Sequence, residues 1–276
     1  NTYDRKEEIA VTNFNAFWVE KTDDGVTHQV IERSFNDLPD GDVLIKVSYS
    51  SLNYKDALSS KAMPGVTRNY PHTPGIDAAG TVVSSSVSNF REGDEVIVIG
   101  FDLGMNTAGG YGEYIRVPGN WITPLPAGLT LRSSMIIGTA GLTAALCYDK
   151  LLTMGAKPED GPVVVTGASG GVGSIAVALL AGQGYEVVAS SGKADKADYL
   201  KQLGAKEVIS RAALSEVNKR PVAAMDYSHG IDTVGGEILS NVIKSLKYGG
   251  SVAICGLVAS PAFNITVLPF ILRNVN

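Results

Sequence analysis

Four consecutive residues, Asn53-Tyr54-Lys55-Asp56, follow an extended stretch ending near Ser50 and precede the apolar pair Ala57-Leu58. An amide, a phenol and a carboxylate at a strand-to-helix corner can order a polar ligand or relay a proton. The same spacing also fits a plain helix cap, Asn first and Asp three residues on, and both readings stand. A second candidate is the run Val163-Val164-Val165-Thr166-Gly167-Ala168-Ser169-Gly170-Gly171-Val172-Gly173-Ser174. Adjacent valines favour a strand buried on both faces, and glycines opening a helix let backbone N–H groups approach a diphosphate. Against the G-x-G-x-x-G fingerprint the loop reads Ala168-x-Gly170-x-x-Gly173, with alanine in the first glycine position. The pattern predicts a nucleotide site.

Other chemistries lack their parts. Zinc needs clustered Cys, His, Asp or Glu, whereas His28, His72 and His229 are far apart and Cys147 and Cys255 form no C-x-x-C. We expect no metal. A serine-hydrolase triad lacks its G-x-S-x-G elbow. Thr166-Gly167, Gly171 and Gly173 also fit the Thr-Gly-x-x-x-Gly-x-Gly loop of short-chain dehydrogenases. None of the eleven tyrosines is followed four residues later by lysine, however, so that family is set aside.

The elements around the loop read as β-α-β-α-β. Val163 to Thr166 is a strand, Ser174 to Leu180 a helix, Glu186 to Ser190 a strand, Asp195 to Leu203 a helix, and Glu207 to Ile209 a strand. Gly230 to Gly236 and Gly249 to Gly256 add two more strands around a helix from Glu237 to Lys247, while Arg211 to His229 shows no clean period. An NAD site places Asp or Glu after the second strand, and a 2′-phosphate needs neutral donors and a cation there. Here the tip is Ser190-Ser191-Gly192-Lys193, with Lys193 about 20 residues beyond the glycines, which points to NADPH.

Residues 1 to about 130 instead show short strands and frequent turns, with strands at Phe14 to Glu20, Asp42 to Ser50, Gly80 to Val83, Asp94 to Ile99 and Ile115 to Val117. Ser133 or Ser134 is expected to cap a helix through Leu146. That helix is apolar nearly all round and should be buried. On it Thr139 and Thr143 are four apart and share a face, available to a cofactor or to the preceding turn.

The chain has 276 residues, 45% of them hydrophobic and 18% charged, which fits a folded protein of one or two domains, and we divide it into 1–132 and 133–276. A net charge of -5 without blocks of like charge offers no footprint for nucleic acid or an anionic membrane. Both cysteines sit in apolar stretches and read as core residues. Asn1 to Glu8 is charged and unlike a signal peptide, and no uncharged run reaches membrane-spanning length, so a cytoplasmic location is expected.

Several segments taken together resemble the medium-chain dehydrogenase/reductase superfamily. They are Asn53-Tyr54-Lys55-Asp56, Pro74-Gly75-Ile76-Asp77-Ala78-Ala79-Gly80, Gly138-Thr139-Ala140-Gly141, the Thr166 to Gly173 loop, Ile231-Asp232-Thr233-Val234-Gly235 and Pro269-Phe270-Ile271-Leu272-Arg273. Within the superfamily the chain resembles the zinc-free quinone-oxidoreductase branch and its acrylyl-coenzyme A reductase subfamily. Zinc-dependent relatives carry Cys in place of Asn53 and Gly-His-Glu in place of Gly75-Ile76-Asp77.

The resemblance implies an α/β protein, a GroES-like β-rich substrate domain followed by a Rossmann domain with a doubly wound parallel sheet that holds NADPH. It implies hydride transfer to an activated alkene conjugated to a carbonyl or thioester, with a homodimeric enzyme. The substrate is then a small enoyl-thioester, enone or quinone. Tyr54 would line the nicotinamide pocket, Ser169, Gly170, Gly171 and Val172 would meet the diphosphate, and Ser191, Gly192, Lys193 and Arg211 would surround the 2′-phosphate. Leu257 and Ile271 would lie near the nicotinamide, and Asn53, Tyr54 and Asp56 are the catalytic candidates. Alternatives are a quinone oxidoreductase on the same fold and a non-catalytic NADPH-binding protein. Relatives continue past Ile271-Leu272-Arg273 with another strand and a tail, so the C-terminal end is expected to be missing from a chain that stops at Asn276.

Overall fold

The computed structural model describes residues 13–276, so the charged stretch Asn1 to Glu8 lies outside the described residues. The chain forms two compact units, Asn1–Thr139 and Ala140–Asn276.

In the first unit, β1 (Asn13–Thr22) and β2 (Gly25–Ser34) form an antiparallel hairpin. A five-stranded antiparallel sheet follows, built from β3 (Val43–Tyr49), β4 (Asp77–Ser85), β5 (Glu95–Ile99), β6 (Tyr114–Val117) and β7 (Ile122–Pro124) in the order β6-β3-β4-β5-β7. Alternate residues face inward, as strand geometry requires: Val43 and Ile45, Val96 and Val98, and Ile115 and Val117 are buried in one cluster with Ala78, Val82 and Leu103. Between β3 and β4 the short helix α1 (Tyr54–Ser60) begins at the polar corner singled out in the sequence. Strand β2 has no counterpart in the sequence reading because it is mostly solvated, with Val30 70% exposed.

α2 (Leu131–Thr153) is long and apolar enough to cross a bilayer by length and composition. It is broken at Gly138 (φ 50, ψ -159), and its Ala144, Cys147 and Leu151 face lies in the core of the second unit. Two expectations about α2 are corrected. The helix begins earlier than Ser133: Thr130 Oγ1 accepts Ser133 N at 3.0 Å and Thr130 N donates to Ser133 Oγ at 2.8 Å, so Thr130 caps it. Nor is it buried all round, since Ile136, Leu142 and Leu146 are exposed.

In the second unit, β8 (Val163–Thr166), β9 (Val187–Ser191), β10 (Glu207–Ser210), β11 (Tyr227–Asp232) and β12 (Leu246–Ile254) make a parallel sheet in the order β10-β9-β8-β11-β12. This is the doubly wound arrangement, with strand order reversing between β8 and β11, where ligands bind in such sheets. α3 (Gly171–Gly182), α4 (Ala197–Gln202), α5 (Gly236–Lys244) and α6 (Leu268–Arg273) complete the unit. Val163, Val164 and Val165 are fully buried because helices cover both faces of a parallel sheet. Cys147 and Cys255 pack in one cluster with α3. Past α6, Asn276 N donates to Gly250 O at 2.9 Å and Asn276 O accepts Val252 N at 3.0 Å, along the outer edge of β12.

Candidate functional site

The first unit gathers its polar side chains at the start of α1. Asp56 is buried, and three donors reach its carboxylate: Asn53 N at 2.8 Å, Ile76 N at 2.9 Å and Tyr111 Oη at 3.1 Å. Burial, followed by the neighbouring Asp56 carboxylate, pushes the Tyr111 phenol up, so its hydroxyl stays protonated. The Asn53 side chain turns elsewhere, Nδ2 donating to Asp77 Oδ2 at 3.0 Å. Asp77, fully buried where β4 begins, also accepts Thr139 N at 2.9 Å and Thr139 Oγ1 at 2.5 Å. A cleft of about 640 Å³ opens at this corner, lined by Phe17, Leu52, Asn53, Asp56, Ala57, Ser60 and Tyr111. Its wall is mostly apolar with a few polar groups, the usual make-up of a small-molecule site.

The second unit presents the glycine loop at the switch point of its sheet. Gly170 caps α3, and Gly171, Val172 and Gly173 form its first turn, whose N–H groups have no intrahelical acceptor. A side chain at Gly173 would strike Gly167 O, so glycine there keeps α3 close against the end of β8. Thr166 Oγ1 donates to Asp232 Oδ1 at 2.6 Å and accepts Thr233 N at 3.1 Å, tying the ends of β8 and β11 together. Burial raises the Asp232 carboxyl, while the Thr166 hydroxyl and the Val234 and Gly235 amides oppose the rise.

At the tip of β9, Ser169 and Ser191 hydroxyls meet at 2.9 Å and Ser191 Oγ accepts Lys193 N at 3.1 Å. Ser190 Oγ is buried with no hydrogen-bond partner. The Arg211 guanidinium lies over Gly192, where an added Cβ would stand 3.2 Å from Nε. Lys193 and Arg211 are both exposed. Two cations, a serine pair and an orphaned hydroxyl with no carboxylate among them suit a phosphate monoester. The groups present therefore fit the 2′-phosphate end of NADPH.

Thus the structure joins Asn53 to Thr139 through Asp77, Ser169 to Ser191, and Gly192 to Arg211. Of the other candidates, Tyr54 is 79% exposed, Leu257 is 64% and Ile271 70% exposed, and Thr143 is half-buried one turn beyond Thr139 on α2. Sequence reading did not assign Asp77 or Tyr111 to the site. Asp77 did leave a signal, since an acid inside the apolar run Ile76 to Ala79 must find buried donors. Among the described residues no group of three or more His, Cys, Asp or Glu could hold a metal ion.

Two family descriptions match the chain, the alcohol dehydrogenase GroES-like domain over residues 39–127 and zinc-binding dehydrogenase over residues 171–276. An antiparallel GroES-like sheet followed by a dinucleotide-type parallel sheet defines the medium-chain dehydrogenase/reductase superfamily, and the chain belongs to it. Its relatives narrow the place to the acrylyl-CoA reductase and quinone oxidoreductase type. The acrylyl-CoA reductase AcuI of Ruegeria pomeroyi is 45% identical over 95% of this chain and 80% of its own. The yhdH oxidoreductase of Salmonella enterica in complex with NADP superposes with a TM-score of 0.92 at 48% identity, over 95% of this chain and 80% of that one. The Bacillus subtilis protein yhfP with NAD bound gives 0.93 at 50% identity, over 96% and 80%. This chain thus spans about four fifths of the length of these relatives.

Proposed function

We propose that the protein reduces an activated C=C bond conjugated to a thioester or carbonyl, of the acrylyl-CoA kind, using NADPH. The observation that carries this reading is the cleft at Asn53, an apolar wall with one side-chain amide held in place by its hydrogen bond to Asp77. When bound, NADPH supplies the hydride that adds to the β-carbon. Asn53 donates a hydrogen bond to the substrate carbonyl oxygen, where enolate charge develops, an interaction of the oxyanion-hole kind. Asp56, its oxygens taken by three donors, holds the corner together, and the exposed Tyr54 hydroxyl is the group from which the α-carbon proton is delivered.

For the cofactor, Ser169, Gly170, Gly171, Val172 and Gly173 hold the diphosphate, and Ser190, Ser191, Gly192, Lys193 and Arg211 hold the 2′-phosphate. Thr139 orders the corner, Thr143 follows it on α2, and Leu257 and Ile271 lie at the nicotinamide end. Residues 1–132 act as the substrate domain and 133–276 as the dinucleotide domain of a cytoplasmic homodimer. The NADP-bound relative supports the cofactor assignment. The NAD-bound relative favours one second reading, in which NADH also serves, through a lysine at 193 that lacks the planar fork of arginine.

Turnover of NADPH with acrylyl-CoA, crotonyl-CoA and a quinone tests the proposal. We expect the thioesters to be reduced faster than the quinone. Quinone reduction alone would move the protein to the quinone-oxidoreductase function, and tight NADPH binding without turnover of any acceptor would end the enzyme reading.

A further inference from the structure

Asp77 carries more than a structural cap requires. A buried carboxylate is costly unless donors or a cation satisfy it, and among the described residues no Lys or Arg forms an ion pair with Asp77. Three hydrogen bonds take that place. Two come from Thr139, N and Oγ1, and these alone would cap the helical segment that restarts after Gly138. The third, from Asn53 Nδ2, reaches across to the wall of the cleft. Gly138 keeps the seat open: a Cβ there would stand 2.8 Å from Asp77 Oδ2 and 2.6 Å from Ser51 Oγ.

We propose that Asp77 is the positioning residue of the reduction, acting through Asn53. The assignment rests on reading the Asn53 cleft as the reduction site. An asparagine amide can flip, and only one face of the flip offers N–H to a substrate oxygen. With Nδ2 donating to a carboxylate, the flipped amide would set its carbonyl oxygen against Asp77 Oδ2, so the flip is excluded. The second N–H of Nδ2 is then held in a single direction, available to the substrate carbonyl. Thr139 shares the same carboxylate, so its helical turn and the Asn53 amide are aligned by one group.

A double-mutant cycle tests this, comparing wild type, Asn53→Ala, Asp77→Asn and the double variant for kcat with NADPH and acrylyl-CoA. NADPH affinity by fluorescence titration and Tm are read alongside. Asp77→Asn leaves one neutral acceptor oxygen for the three donors that now share a carboxylate, so the Asn53 amide competes with Thr139 for it. This should lower kcat about tenfold or more, with NADPH Kd changed by less than about twofold. Added to Asn53→Ala, it should lower kcat by less than about twofold, because its effect passes through the side chain already removed.

Additive losses in the double variant, or a single Asp77→Asn variant with wild-type kcat, overturn the assignment while leaving an active wild type as a reductase. A wild type that reduces neither thioester nor quinone overturns the functional reading and the assignment with it. If Asp77→Asn does not fold, Asn53→Asp carries the test, since it sets a second carboxylate beside Asp77. Two carboxylates so close share a proton, so kcat should gain an ionisation above the ordinary carboxylate range. Asp56 and Tyr111 are titratable groups packed at the same corner, and Tyr54 and Lys55 follow Asn53 in the chain. A pH profile of wild-type shape would overturn the contact.

Discussion

The polar corner of the first unit and the glycine-loop region of the second differ in how far their polar groups are satisfied. At the corner, Asp56 and Asp77 are buried and each takes three donors, so the Asn53 side chain is locked before anything binds. At the tip of β9, the Ser190 hydroxyl is buried without a partner, and among the described residues neither Lys193 nor Arg211 forms an ion pair. A group that must stabilise developing charge gains from being fixed in advance. Groups that must bind an anion gain from having open donors. Under the proposed function the corner would govern turnover and the strand tip cofactor affinity, and variants in each should separate the two.

The largest effect on stability is expected at Gly138. Its φ of 50 is a conformation that L side chains rarely adopt, and a methyl group would press on Ser51 and Asp77. Gly138→Ala should destabilise the protein by about 3 kcal/mol in urea unfolding, at the upper end for one strained residue. It should also lower turnover, because Asp77 is displaced from Asn53. Thr166→Val should cost about 2 kcal/mol, since it leaves the buried Asp232 carboxylate and the Thr233 amide short of a partner. It also removes a donor that opposes the upward shift of Asp232, so the loss should be largest at neutral pH and shrink as pH falls and the carboxyl takes up its proton.

Arg211→Gln should weaken NADPH about tenfold, or about 1.4 kcal/mol, and leave NADH unchanged. Equal losses for both cofactors would break the division of labour drawn above. The smallest effect is expected at Asp160, whose carboxylate accepts His229 Nε2 at 3.1 Å and Lys157 N at 2.8 Å. The His229 hydrogen bond, the leading cause, holds the Asp160 carboxyl below its ordinary value. Its stabilisation is complete above the unfolded-state value and is lost as pH falls through the folded one. Because Asp160 is partly solvated, Asp160→Asn should cost less than about 1 kcal/mol at pH 7. The gap from wild type should close on acidification through the carboxylate range.

What could be read in the chain and what could not divide along the same physical line. The three valines of β8, the glycines after them and the parallel strands of the second unit follow from local pattern, because side chains buried on both faces leave continuous apolar runs. The corner residues Asn53 and Asp56 are neighbours in sequence, so their meeting was legible too. Asp77 was not assigned to the site because its partners lie far off, Thr139 being 62 residues away and Asn53 24. Tyr111 reaches Asp56 across 55 residues for the same reason. Nothing local brings such residues together; the tertiary fold around the antiparallel sheet does. The start of α2 was misplaced by a few residues because Thr130 and Ser133 both carry hydroxyls suited to a cap, and only their mutual bonds show that Thr130 leads.

The most direct test of the separation between corner and strand tip is to measure NADPH Kd and acrylyl-CoA turnover on the same Asn53→Ala protein. The account predicts a Kd within about twofold of wild type and a kcat lowered by about a hundredfold, the loss expected for one oxyanion donor. A Kd that rises as kcat falls would contradict it, making Asn53 part of the cofactor site or the fold rather than of the chemistry.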